Sequence, residues 1–87
     1  MKKESWGIDI NGENYGRLVK YLRLFFNMSQ RAMSRCLGVP VSTYKSWELE
    51  KCIPCFDNHK KILAFAENNL GKEFSSALDK AFVLAKL

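Results

Sequence analysis

Residues 29–50 read SQRAMSRCLGVPVSTYKSWELE, and this stretch decides the fold. Ser29 suits a helix N-cap, because its hydroxyl can accept a backbone N–H from the first turn. Gly38 suits a helix stop, and Pro40 fits the first turn of a following helix, where an N–H would have no partner. The stretch therefore predicts one helix from Ser29 to Gly38, a short turn, and a second helix over about residues 40–49.

Apolar residues recur at helical spacing on both sides of this stretch. They predict further helices over about residues 13–26, 56–68 and 72–86. No pair of strands is indicated, so the sequence predicts an all-α five-helix bundle with a short N-terminal arm. We expect one domain over residues 1–87, with a core at about 13–68 and a separate C-terminal helix.

Positive charge is distributed unevenly along the chain. Over residues 1–61 there are 11 Lys and Arg against 6 Asp and Glu, whereas residues 62–87 contain 3 of each class. A localised positive surplus attracts polyanions, and nucleic acid is the commonest of these inside cells. No apolar run approaches the ~20 residues of a membrane span, and no apolar leader follows the basic N-terminus, so we expect a cytoplasmic protein without membrane contact and with reduced cysteines.

The order of residues within the 29–50 stretch resembles the Cro/repressor-type (XRE-family) helix-turn-helix of phage and bacterial regulators. The shared elements are Ser29-Gln30 at the start of one helix, Leu37-Gly38-Val39 at the turn, Ser42-Thr43 early in the next helix, and Trp47-Glu48 near its end. Outside the stretch, the matching positions are Arg23, Pro54 and Ile62. The resemblance covers about residues 15–68.

This resemblance implies a lambda-repressor-like fold and a sequence-specific regulator of transcription that binds double-stranded DNA. Its recognition helix, about residues 40–49, would lie in the major groove. The protein is expected to act as a repressor and as a homodimer on two half-sites. The resemblance also implies a bacterial or phage-encoded, nucleoid-associated protein. No catalytic constellation stands out, so we expect neither enzyme activity nor a cofactor.

Two sets of residues are the candidate DNA contacts. Base readout is expected from the outer side of the recognition helix, with Tyr44 and Trp47 turned inward. The residues expected to read bases are Val41, Ser42, Lys45 and Ser46. Those expected to contact phosphates are Gln30, Arg31, Arg35, Thr43 and Lys51. The resemblance also implies a structural ion pair between Arg23 and Glu48.

Four positions depart from the family pattern. Glu50 stands where glycine is common, which leaves the loop after the recognition helix undetermined. Pro40 replaces the usual Ser or Thr, so the recognition helix should lack a side-chain cap. Ser34 replaces a common alanine and Tyr44 a common aliphatic residue, and we expect the packing to accommodate both.

The C-terminal helix carries a broad apolar stripe. Its members are Phe74, Leu78, Ala81, Phe82 and Ala85. Because this is more apolar surface than a four-helix core is expected to need, we predict that the stripe forms a homodimer interface. The alternative, in which the helix only caps the core of its own chain, stays open.

The sequence allows three interpretations other than a transcriptional repressor. Cys36, Cys52, Cys55 and His59 have a spacing that zinc could accept, but the family packs this region without metal. We therefore assign no metal, and we expect His59 to be a surface residue at a helix start. The second interpretation is the antitoxin of a toxin–antitoxin pair, which would also bind its own operator and whose C-terminal part would bind a small protein partner. The third is a helix-turn-helix retained only for protein contacts.

Overall fold

The computed structural model describes residues 14–87, and this part of the chain is helical. Its helices are α1 (Tyr15–Phe25), α2 (Gln30–Leu37), α3 (Val41–Glu48), α4 (Phe56–Leu70) and α5 (Lys72–Lys86). No strand occurs between residues 14 and 87, so the all-α prediction is confirmed for them. The predicted N-terminal arm lies outside the described residues. None of the five helices combines the length and the apolarity needed to cross a membrane.

Local sequence determines both ends of α2. The hydroxyl of Ser29 accepts the backbone N–H of Ala32 at 3.0 Å, as an N-cap does. Gly38 takes the left-handed conformation, with φ 72°, and its N–H bonds to the carbonyl of Arg35 at 3.1 Å. The predicted cap and the predicted stop are both confirmed.

Local sequence also determines the end of α1 and the start of α3. Asn27, just after α1, has φ 56°, and asparagine tolerates this left-handed conformation better than most residues. Pro40 precedes α3 in an extended conformation and provides no side-chain cap, as the replacement of Ser or Thr predicted. The turn between α2 and α3 is therefore only Gly38 to Pro40.

Side chains from all five helices meet in the core. The largest ones below 2 % exposure include Leu18 and Leu22 from α1, Met33 from α2, Tyr44 from α3, Ile62 from α4, and Phe74 and Leu78 from α5. Burying an aliphatic or aromatic side chain of this size contributes roughly 1.5–3 kcal/mol relative to leaving it exposed. Tyr44 and Trp47 face inward as predicted, which leaves the opposite side of α3 uncovered.

The apolar stripe of α5 packs into the core of its own chain. Phe74, Leu78, Ala81 and Phe82 are each at most 8 % exposed, so the prediction that they form a homodimer interface is wrong. The physical reason is that α5 folds back on α4 and also contacts α1. Ala85, the fifth predicted member, is exposed. Apolar periodicity predicts that a face is buried, but it does not say whether the same chain or another one buries it.

Helix α1 passes close to the end of α3 at Gly16. A methyl group at Gly16 would lie 2.6 Å from the carbonyl oxygen of Trp47 and would also meet the side chain of Glu50. Glu50 itself has a left-handed backbone, with φ 62°, a conformation that favours glycine. The loop after α3 therefore makes the turn expected of a glycine, although this chain has glutamate there.

Candidate nucleic-acid interface

The uncovered side of α3 is polar and made of short or flexible side chains. Ser42 and Lys45 are exposed, while Val41 and Ser46 are half-buried on the same helix. We call the surface formed by these four residues the reading face. Because three of the four side chains are short and that of Lys45 is flexible, this side of α3 can enter a nucleic-acid groove.

One hydroxyl of the reading face is already engaged. Ser46 Oγ donates to the carbonyl oxygen of Thr43 at 2.6 Å. A serine hydroxyl has a single hydrogen, so Ser46 can offer a partner only its acceptor lone pairs. Ser42 and Lys45 are the exposed donors of the face. Thr43 is half-buried, so a phosphate that contacts Thr43 would lie at the edge of the reading face.

Exposed basic side chains lie on the helix before α3 and just after α3. Arg31 and Arg35 are exposed and lie one turn apart on α2, and Lys51 is exposed just after α3. Residues four apart share one side of a helix, so the two guanidinium groups can act together. The first turns of α2 and α3 contain no acidic residue of their own, and the positive ends of helix dipoles attract anions. This arrangement can hold a polyanion.

Glu48, at the end of α3, accepts hydrogen bonds from three helices. Arg23 donates through Nε and Nη2 at 2.6 and 3.0 Å, so the ion pair implied by the resemblance is present. Gln30 Nε2 donates at 3.0 Å, and the hydroxyl of Tyr44 donates to the same carboxylate. We call these four residues the Glu48 network. It fixes α3 against α1 and α2, and thereby the orientation of the reading face.

The network keeps its charges at neutral pH. Burial by itself would raise the pKa of Glu48, but the hydrogen bonds from Arg23, Tyr44 and Gln30 outweigh it and hold that pKa below its ordinary value of 4.5. Burial raises the pKa of Tyr44, and Glu48 raises it further. The phenol therefore stays protonated and remains a donor.

The structure changes the role of one predicted phosphate contact. Gln30 is half-buried and gives one amide N–H to Glu48, which leaves its second N–H and its oxygen for a partner. The hydroxyl of Tyr44 was not predicted to join the network. The available signal was the four-residue spacing of Tyr44 and Glu48, which puts both on one side of α3.

The residues considered for zinc do not come together. Cys36, Cys52 and Cys55 are free and exposed, whereas His59 is 0 % exposed. Within residues 14–87, no group of three or more His, Cys, Asp or Glu could hold a metal ion. The prediction that His59 is a surface residue is wrong, because side chains of α1 and α5 both hydrogen-bond to its ring and cover it.

Comparison with known proteins does not assign the chain to a family. No protein-family model matches the chain, and no curated protein and no solved structure matches it. The geometry and charge of the described residues, together with the resemblance of the 29–50 stretch, are therefore the basis for assigning a function.

Proposed function

We propose that this protein is a sequence-specific, double-stranded DNA-binding regulator of transcription with a lambda-repressor-like fold. The observation that carries the proposal is the reading face, an uncovered side of α3, together with the exposed guanidinium groups of Arg31 and Arg35 on the preceding helix. An α-helix fits the major groove of B-DNA. The acid-free first turns of α2 and α3 support the same function, because helix N-termini attract phosphates.

Affinity would come mainly from phosphate contacts. Arg31, Arg35 and Lys51 are the charged candidates, and Gln30 and Thr43 are the neutral ones. Each phosphate that a cation neutralises releases counterions, so the logarithm of the affinity falls with the logarithm of the salt concentration by about 0.9 per contact. These contacts orient the protein on the duplex but do not read sequence.

Specificity would come from the reading face. Lys45 would donate to O6 or N7 of a guanine, and Val41 would contact a thymine methyl group. Ser42 can donate or accept, whereas Ser46 can only accept, for example from an adenine or cytosine amino group. These four side chains specify few base pairs, because three of them are short, so one reading face supports only modest discrimination.

We further propose that the regulator is a repressor that binds as a homodimer in a bacterial or phage-infected cytoplasm. A second half-site compensates for the small reading face, and dimers of this docking type contact half-sites about 34–36 Å apart. The dimer contact must use a surface other than the buried stripe of α5.

Selection from a random pool of double-stranded DNA, followed by affinity measurements at several salt concentrations, tests the proposal. We expect an enriched site with two-fold symmetry. Lys45→Ala should weaken binding to that site by about 1–3 kcal/mol and relax the preference at one base pair. Lys51→Ala should weaken binding to all sequences alike and lower the salt slope by about one.

The matched control is Lys80→Ala, which removes an exposed lysine from α5. This variant should keep the affinity, the base preference and the salt slope of the wild type. If Lys45→Ala, Arg31→Ala and Lys80→Ala all behave alike, DNA binding through the reading face is contradicted. An enriched site without two-fold symmetry would contradict the homodimer.

A further inference from the structure

The chain has one histidine, and its imidazole is buried where three helices meet. His59 belongs to the first turns of α4 and is 0 % exposed. Its ring stacks on that of Phe82 from α5, with centroids 3.7 Å apart and planes 6° from parallel. The ring of Tyr15 from α1 lies 5.5 Å away on a tilted plane. Neither DNA readout nor the Glu48 network uses this cluster.

Both ring nitrogens are hydrogen-bonded, and each bond leads to a different helix. Nε2 lies 2.9 Å from Asp79 Oδ1 on α5, and Nδ1 lies 3.0 Å from the hydroxyl of Tyr15 on α1. An ionised carboxylate can only accept, so Nε2 carries the hydrogen and donates to Asp79. In the neutral ring Nδ1 then has a lone pair, and the hydroxyl of Tyr15 donates to it. The hydrogen bonds run in one direction, from α1 through α4 to α5.

A second proton on the ring is incompatible with this direction of the hydrogen bonds. Protonation places a hydrogen on Nδ1, which then faces the hydroxyl hydrogen of Tyr15 as one donor against another. Tyr15 is 3 % exposed, and within the described part of the chain its hydroxyl has no partner other than His59. The phenol hydrogen would have to turn away from the ring, and no other residue between 14 and 87 accepts a hydrogen bond from this hydroxyl in the structure. Such an unpaired buried donor is unfavourable.

The charges around the ring act in opposite directions. Asp79 favours a protonated ring, but its side chain is 55 % exposed, so water screens it. Lys86 of α5 opposes protonation, because its Nζ lies 5.3 Å from the centre of the Phe82 ring on which His59 stacks. On α4 itself, Lys60 is directed to Phe56, at 5.5 Å. Burial is the largest influence and lowers the pKa of His59 below 6.5, despite Asp79.

We propose that His59 is an acid-sensitive latch: the neutral ring fastens α5 to α1 and α4, and a proton on the ring releases α5. The latch joins α5, which carries the buried Phe74, to α1, which precedes the α2–α3 pair. Its opening therefore uncovers the apolar stripe of α5.

The direction of the pH dependence follows from the hydrogen bonds. As pH falls below 6.5, the histidine of the unfolded chain takes up a proton before the buried one does. The stabilisation by neutral His59 is therefore complete above pH 6.5, declines below it, and stops declining once the folded protein is also protonated. Within that window the folding equilibrium constant should fall up to about ten-fold per pH unit, since one proton is involved.

Nuclear magnetic resonance of the full chain between pH 8 and 4 tests the latch directly, because the single histidine gives an unambiguous titration. We expect the imidazole of His59 to titrate below 6.5. Hydrogen exchange of the α5 amides, corrected for intrinsic rates, should accelerate up to about ten-fold per pH unit in the same range. A titration at or above 6.5, or α5 protection that is constant from pH 7 to 5, would overturn the proposal.

Two substitutions with one matched control separate the latch from general acid effects. Asp79→Asn removes the charge that favours the proton, so the pKa of His59 should fall further; Asp57→Asn, an exposed carboxylate on the same helix as His59, should leave it unchanged. His59→Gln cannot take a proton, so its stability should not vary between pH 6.5 and 5. If His59→Gln does not fold, the wild-type and Asp79→Asn titrations decide the matter. An Asp79→Asn variant with an unchanged or raised pKa of His59 contradicts the latch.

Discussion

Residues 14–51 and residues 52–87 make contrasting halves of the described structure. The first half has seven Lys and Arg against two Asp and Glu, a net charge of +5, whereas the second has five against four, a net charge of +1. The first turns of α2 and α3 contain no acid, but α4 begins with Asp57 and α5 with Glu73 in their first turns. The first half is arranged to attract an anion, and the second is nearly neutral.

The halves also hold their buried polar groups in different ways. In the first half, an ionised carboxylate, Glu48, is matched by donors from three helices. In the second half, a neutral imidazole, His59, is stacked on Phe82 and hydrogen-bonded to Tyr15 and Asp79. Orientation of the reading face therefore depends on an ion pair, whereas attachment of α5 depends on an uncharged ring that is both stacked and hydrogen-bonded.

Glu48→Ala is expected to have the largest effect, because it removes the centre of the charged network. Arg23, whose side chain is 12 % exposed, would lose its carboxylate, and an uncompensated buried charge destabilises a protein by about 3–5 kcal/mol. Urea unfolding gives the free energy of unfolding. Glu67→Ala, which removes an exposed carboxylate from α4, is the control and should change it by less than about 0.5 kcal/mol. Equal effects of the two variants would contradict the structural role of Glu48.

Leu78→Ala and Leu84→Ala test the packing of the second half. Leu78 is 0 % exposed and Leu84 is 62 % exposed on the same helix. Truncating the buried leucine should lower the free energy of unfolding by about 2–5 kcal/mol, and truncating the exposed one should change it by less than about 0.5 kcal/mol. Unfolding at two protein concentrations measures both. A concentration-dependent loss for Leu84→Ala would show that the outer side of α5 is covered by another molecule.

Glu50→Gly tests the boundary between the halves, where a non-glycine residue has φ 62°. A left-handed backbone is unfavourable by roughly 1–2 kcal/mol for a residue with a Cβ atom, so glycine should raise the free energy of unfolding by about 1 kcal/mol. Glu50→Ala is the matched control, since it removes the same carboxylate but keeps the Cβ atom. If alanine stabilises the protein as much as glycine does, the effect comes from the carboxylate and not from the backbone.

The smallest expected effect is on the pH dependence of stability, because Glu48 and His59 lose their stabilising contributions in different pH ranges. Because the pKa of Glu48 is lowered in the folded protein, its stabilisation is complete above its ordinary value of 4.5 and is lost as pH falls through the folded value. The contribution of His59 is lost earlier, from pH 6.5 downwards. Urea midpoints between pH 7.5 and 3 should show both stages in the wild type and a smaller acidic stage in Glu48→Gln. An identical acidic stage in Glu48→Gln would exclude Glu48 as its source.

Helix limits were predictable because they depend on neighbouring residues. Ser29 caps α2 through its own hydroxyl, and Gly38 and Asn27 supply the left-handed conformations that end α2 and α1. Each of these interactions spans only a few residues of sequence. The ion pair of Arg23 and Glu48 spans 25 residues, and it was predicted only because the pattern of the 29–50 stretch resembles a known arrangement.

The candidate interface was predicted in part. The inward direction of Tyr44 and Trp47 follows from helical spacing, and it leaves Ser42 and Lys45 on the outer side of α3. The engagement of the Ser46 hydroxyl was not predicted, because a serine in a helix can point its hydrogen to solvent or to a nearby carbonyl with little difference in energy.

The five helices, their limits and the uneven distribution of charge could be read from the sequence, because these depend on side-chain type and on spacing along the chain. That the chain itself buries Phe74, Leu78, Ala81 and Phe82 of α5, and that His59 is enclosed rather than exposed, became evident only from the fold. The physical reason is that the hydrophobic effect has no direction and names no partner. The hydrogen-bond partners of His59 lie 44 and 20 positions away along the chain, and only the folded chain brings them together.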